Sequence, residues 1–190
     1  MQNEISDLES VESRAEAMYL LPRQHRLHWA YDTMADWTED EWRELAPALW
    51  IDAEPQGRQR GPWLEFLRAA HHKVGLLLDE QGERLPEGDI EIYRGVSGAP
   101  RPGCRSGLSW TLDIERARWF ANRFSVLHGN PRVYSATVDS QAVLAFLTGR
   151  QEREVVVDPH DLRRIRILER LPESKPDPSP SGPRSYLDHV

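Results

Sequence analysis

Apolar positions in the first half of the chain recur at intervals of three and four. Ile5, Leu8, Val11, Ala15, Met18 and Tyr19 fall on one face of a helix over residues 4–20, which Pro22 stops. His25 to Met34 predicts a second helix. Thr38-Glu39-Asp40-Glu41 predicts a capping box, with Thr38 as N-cap and Glu41 reaching back, at the head of a helix carrying Trp42, Leu45 and Leu49. Residues 51–62 read as loop. Trp63, Leu67, Ala70, Val74 and Leu77 then mark the most regular apolar face in the chain, a helix over 63–82 ending near Gly82.

Near residue 86 the period changes. Pro86-Glu87-Gly88 breaks the helical region, and Ile90 to Gly95 alternates as a strand with Arg94 at its end. Leu108 to Thr111 predicts a short strand. A helix follows, with Asp113 as N-cap and Ala117, Phe120, Ala121 and Phe124 on its buried face. Further strands are expected at Val133 to Val138, at Val155 to Val157 before Asp158-Pro159, and at Leu162 to Leu171, while Val143 to Leu147 is short and apolar. This is an α+β pattern: a helical N-terminal region over 1–86, a strand-rich core over 87–171, and a tail over 172–190. The tail is Pro/Ser-rich, a composition that predicts disorder.

At 190 residues, one domain with a real core is expected. No apolar run reaches the length of a membrane span, and the first ten residues, MQNEISDLES, lack a signal-peptide pattern; a cytoplasmic protein is expected, with no membrane partner. A single cysteine, Cys104, excludes an internal disulfide and a cysteine-based zinc cluster. The seven histidines stand in no HExxH-type relation to a carboxylate, so no metal is expected. Trp29, Trp37, Trp42, Trp50 and Trp63 read as core anchors between helices.

Charge divides the chain. Residues 1–90 carry a net −10 and residues 91–170 a net +4, within a total of −7. An acidic chain argues against nucleic acid as a general partner. The basic middle could hold a small polyanion. Of the 24 basic residues 22 are arginines, whose forks match phosphate geometry, although genome base composition produces the same bias.

Two stretches carry candidate chemistry. Glu152 and Glu154 flank Arg153 just ahead of Val155. In an extended backbone they project to the same side, and their repulsion needs a cation to relieve it. A solvated charged loop before a strand accounts for the same residues. Arg94-Gly95 at a strand end suits an anion, since the guanidinium offers forked donors and glycine admits a ligand to the backbone.

Taken together, Tyr93-Arg94-Gly95, then Leu108-Ser109-Trp110-Thr111 leading to Ala117-Arg118-Trp119-Phe120-Ala121, then Glu152-Arg153-Glu154-Val155, resemble the three signature elements of mono-ADP-ribosyltransferases of the Arg–Ser–Glu type, as found in bacterial and phage-like members. The resemblance covers residues 88–171; the helical half matches no family. It implies a split β-sandwich core binding NAD, as substrate, in a central cleft, with an arginine of an acceptor protein as the second partner. Arg94 would hold the dinucleotide through phosphate or ribose, and the Gly95 backbone would meet the nicotinamide carboxamide. Ser109 would support the cleft and orient Glu154, the catalytic glutamate, and Thr111 keeps the last hydroxyl of the motif. Glu152 stands where arginine-modifying members also carry Glu. Trp110 departs from the pattern, where a small polar residue is usual: it packs on the opposite side of its strand, or it faces the cleft and stacks on a ring of NAD. Two other readings stay open: an NAD glycohydrolase with water as acceptor, and a non-catalytic NAD-binding or interaction module.

Overall fold

A computed structural model describes residues 13–52, 60–79, 83–98, 107–149 and 152–172. Cys104, Gly82, the first twelve residues and the tail from 173 lie outside the described residues.

The helical half follows its local signals. Helix α1 (Arg14–Leu20) starts at Ser13, whose Oγ accepts from the Glu16 N–H at 3.3 Å. Helix α2 (Arg23–Thr33) opens behind Pro22 and runs into a 3₁₀ turn, Met34–Asp36. Helix α3 (Glu39–Asp52) carries the expected capping box: the Thr38 N–H donates to Glu41 Oε2 at 2.7 Å, and the Glu41 N–H donates to Thr38 Oγ1 at 3.2 Å. Arg14 also donates to the Glu41 carboxylate and ties α1 to α3.

Those donors, the Thr38 N–H first and Arg14 next, hold the Glu41 carboxyl below its usual range. A folded-state pKa below the unfolded one contributes stability while the carboxylate is charged, and loses it as pH falls through the lowered value. Glu41→Gln should therefore cost about 1 kcal/mol at neutral pH in denaturant unfolding. The gap to the parent should close in acid; a gap constant from neutral pH into acid would contradict a stabilising role for the Glu41 charge.

Three expected boundaries move. Helix α3 runs to Asp52, so Ile51 and Asp52 are helical rather than loop. Helix α4 spans Arg60–Val74, so Arg60, Gly61 and Pro62 are helical rather than loop. Pro62 is tolerated because first-turn N–H groups lack an intrahelical partner. The helix also ends well before Gly82. Gly75 adopts φ 77° and returns its N–H to the His71 carbonyl at 2.9 Å, a left-handed stop that glycine adopts at little cost. Leu77 consequently leaves the helical face and forms strand β1 (Leu77–Leu78).

The remaining elements are β2 (Asp89–Val96), β3 (Ser109–Thr111), α5 (Ile114–Arg123), α6 (Ser125–His128), β4 (Arg132–Asp139), β5 (Val143–Leu147), β6 (Glu154–Val157) and β7 (Arg163–Arg170). They form one seven-stranded mixed sheet in the order β1-β5-β6-β3-β2-β4-β7. All pairings are antiparallel except that of β1 with β5. An α+β class is thus observed. The division at residue 86 is less clean than expected, because β1, from the helical half, is a strand of the sheet.

One junction is weak. Among the described residues the β2–β3 ladder pairs only Tyr93 with Thr111, whereas β2 and β4 pair along eight residues. The sheet therefore has two wings, β1-β5-β6-β3 and β2-β4-β7, which part at β2–β3. One core lies under the helices: Trp37, Trp42, Trp50, Trp63 and Phe66 pack with Leu77, Ala145, Leu147 and Val156 of the first wing. The other core draws on both wings, with Ile90, Ile92, Tyr134 and Val138 beside Trp110, Phe146, Val155 and Val157. Asp158, buried just after β6, pairs with Arg68 of α4 and pins the helices to the sheet.

Candidate active site

The weak junction holds an open cleft of about 180 Å³ lined by Tyr93, Arg94, Gly95, Ser109, Trp110, Thr111, Phe120, Glu152 and Glu154. The three sequence stretches, up to 61 residues apart, thus meet in one place, and all seven expected site residues line it.

Glu154 opens β6 and pairs with Thr111 on one side and Leu147 on the other. Alternation along β3 and β6 sets Ser109, Thr111 and Glu154 on the face that carries the helices, opposite Trp110 and Val155. The Glu154 Oε1 accepts from the Trp50 indole N–H, at 3.2 Å. Among the described residues the Ser109 hydroxyl is not bonded to Glu154, so that part of the expectation for Ser109 is not met.

Glu152 reaches the cleft by another route than expected. Arg153 adopts φ 43°, so the backbone between the two glutamates is left-handed rather than extended. A left-handed non-glycine residue costs about 1 kcal/mol. The turn is held from three sides. The Thr111 hydroxyl donates to the Glu152 carbonyl at 2.5 Å, the Leu112 N–H donates to the Arg153 carbonyl at 3.1 Å, and the Arg153 guanidinium pairs with Glu83 at 2.6 Å. Upstream, Asp79 accepts from the Thr148 N–H at 2.5 Å and from the Thr148 hydroxyl at 3.0 Å.

Arg94 sits at the parting of the wings. Its guanidinium donates to the Ser109 carbonyl and lies where a side chain at Gly107 would be. Gly95 has a reason that sequence did not supply. A Cβ there would lie 2.5 Å from the Ala121 nitrogen and closer still to the Ala117 carbonyl oxygen, so this glycine lets α5 seat on β2. That side of Gly95 is occupied by a helix, not open to a ligand.

Trp110 resolves to the packing alternative. It is 2% exposed within the two-wing core, and its indole N–H donates to the Gly107 carbonyl at 2.9 Å. Its ring is not presented to the cleft for stacking. The aromatic surface there comes from Tyr93 and Phe120. The Tyr93 hydroxyl is pushed above its ordinary value by burial and then by Glu91, so it stays protonated at neutral pH. Phe120, expected in the core, lines the cleft instead, and Phe124 is 46% exposed because α5 ends at Arg123. Among the described residues no cluster of His, Cys, Asp and Glu could hold a metal ion, and no helix is long and apolar enough to cross a membrane.

No family model matches the chain, and no solved structure matches it. Among curated proteins it is similar to the bifunctional glutamine synthetase adenylyltransferase/adenylyl-removing enzyme of Agrobacterium fabrum, at 27% identity over 138 residues. That match covers 69% of this chain but spans 12% of the enzyme's length.

Proposed function

We propose that the chain is a mono-ADP-ribosyltransferase, which cleaves NAD at the nicotinamide–ribose bond and passes ADP-ribose to an arginine of an acceptor protein. The observation that carries this reading is the convergence of Arg94, Ser109, Thr111, Glu152 and Glu154 on one cleft at the parting of the sheet. A two-winged sheet with a core shared between its wings fits the split β-sandwich that the motif resemblance implies. The 12% span of the Agrobacterium enzyme is too small a share to bring its adenylyl transfer to this chain.

The chemistry follows from charge. As the bond from ribose C1′ to the pyridinium nitrogen breaks, its electron pair leaves with nicotinamide, and the ribose becomes oxocarbenium-like. Glu154, fixed at the head of β6, stabilises that cation by a preorganised negative charge. A guanidinium nitrogen of the acceptor then bonds to C1′. An arginine is protonated at ordinary pH and nucleophilic only as its proton departs, so Glu152 orients it and accepts that proton. Arg94 offers a charged fork to the phosphates.

Two measurements test the reading. Incubation with labelled NAD and a cell lysate should yield a labelled protein whose mass spectrum carries ADP-ribose on arginine; label-free proteins with free ADP-ribose accumulating would indicate the glycohydrolase. Separately, Arg94→Ala should weaken NAD binding by about tenfold or more in calorimetry. Arg43→Ala, on the exposed face of α3, should leave it unchanged. Equal affinity of a folded Arg94→Ala and the parent would contradict the phosphate role.

A further inference from the structure

We infer that Trp50, in the helical half, is a positioning residue that sets the orientation of the Glu154 carboxylate for NAD cleavage; the inference rests on the reading just given. Trp50 lies near the C-terminal end of α3 and is 3% exposed. Its Nε1–H donates to Glu154 Oε1 at 3.2 Å, across 104 positions of sequence. An indole N–H can only donate, so it matches an ionised carboxylate oxygen. The ring cannot swing to release the bond. It is buried in the core beneath the helices, and Trp63 stands edge-on to it with centroids 5.5 Å apart and planes at 83°.

This contact supplies what Ser109 does not. The backbone of Glu154 is fixed by its strand pairs, and the indole N–H is a donor fixed in place beside its carboxylate. A donor held by a rigid ring favours one orientation of that carboxylate. It also stabilises the charged form, the form an oxocarbenium stabiliser requires. The helical half therefore completes the site rather than merely covering the sheet.

Trp50→Phe keeps an aromatic ring and removes the donor. Nicotinamide release from NAD should then fall in kcat by about ten- to a hundredfold, the scale of a misaligned catalytic group, while KM stays within about twofold. The acid limb of the pH–rate profile should move to higher pH, since Glu154 loses a bond to its charged form. Trp42→Phe is the control for altered core volume: Trp42 is equally buried, packs edge-on to Trp37 and tilted against Phe66, and among the described residues makes no hydrogen bond to a cleft residue. It should lower thermal stability without moving the acid limb. An unchanged kcat and acid limb in a folded Trp50→Phe, with the parent active, would overturn the positioning role alone. A parent that releases no nicotinamide would overturn the NAD reading and this inference with it. If Trp50→Phe does not fold, ¹⁵N spectra of Glu154→Gln decide the contact: the Trp50 indole resonance should shift relative to the parent, and an unshifted resonance would overturn it.

Discussion

Glu154→Gln is expected to abolish nicotinamide release and ADP-ribose transfer together, each by a factor of about a hundred or more. The substitution keeps shape and removes charge, and both reactions pass through the same oxocarbenium-like state. Glu152→Gln is expected to divide them. Glu152 stands at the cleft on a turn before β6; in the proposed role it serves the acceptor rather than the ribose. Transfer to protein should be lost while slow NAD hydrolysis persists, because water needs less orientation than a guanidinium. Both variants are to be compared with the parent after their melting curves and NAD affinities are measured. Full transfer by Glu152→Gln would end the arginine-acceptor assignment, and parallel loss of both reactions in it would merge the two glutamates into one role.

Gly95→Ala is expected to be the most damaging small substitution for the fold. The added methyl would meet the Ala117 carbonyl oxygen and the Ala121 nitrogen, which are backbone atoms of α5 and cannot turn aside as a side chain can. Helix α5 would have to move off β2, disturbing Ala117, Ala121 and Val133, which pack there, and Phe120 at the cleft. Overpacking of this kind costs about 3 kcal/mol, a large part of a domain's stability. Gly61→Ala makes the comparison. No atom lies within 4 Å of a Cβ there, and in the first turn of α4 alanine should be neutral or stabilising by up to about 1 kcal/mol. A Gly95→Ala variant as stable as the parent in chemical unfolding would contradict the close seating of α5.

Local signals were readable wherever one residue's own side chain or backbone decides the outcome. The Thr38–Glu41 box, the Asp113 cap and the valines of β6 stand where their sequence places them. The end of α4 departs from the apolar spacing, which runs from Trp63 through Leu77 across Gly75, because the glycine's backbone freedom outweighs the periodicity. Glu152 and Glu154 were correctly brought together, yet through a left-handed Arg153 that no local pattern announces; its partners are Glu83 and residues of β3 and its following loop. Trp50 is the core anchor that the sequence predicts, but its bond to Glu154 depends on a tertiary contact between halves of the chain. Gly95 carries a second constraint that no local pattern shows, since its lack of a side chain lets α5 pack on β2. Contacts between distant elements were thus the illegible part, and they are the ones that shape the cleft.

The most direct measurement is proton NMR of NAD mixed with the purified, folded chain, followed over time beside Glu154→Gln. The account predicts that free nicotinamide appears with the parent, faster when an arginine-bearing acceptor is added, and at the background rate with Glu154→Gln. Intact NAD with the parent, with and without acceptor, would contradict it.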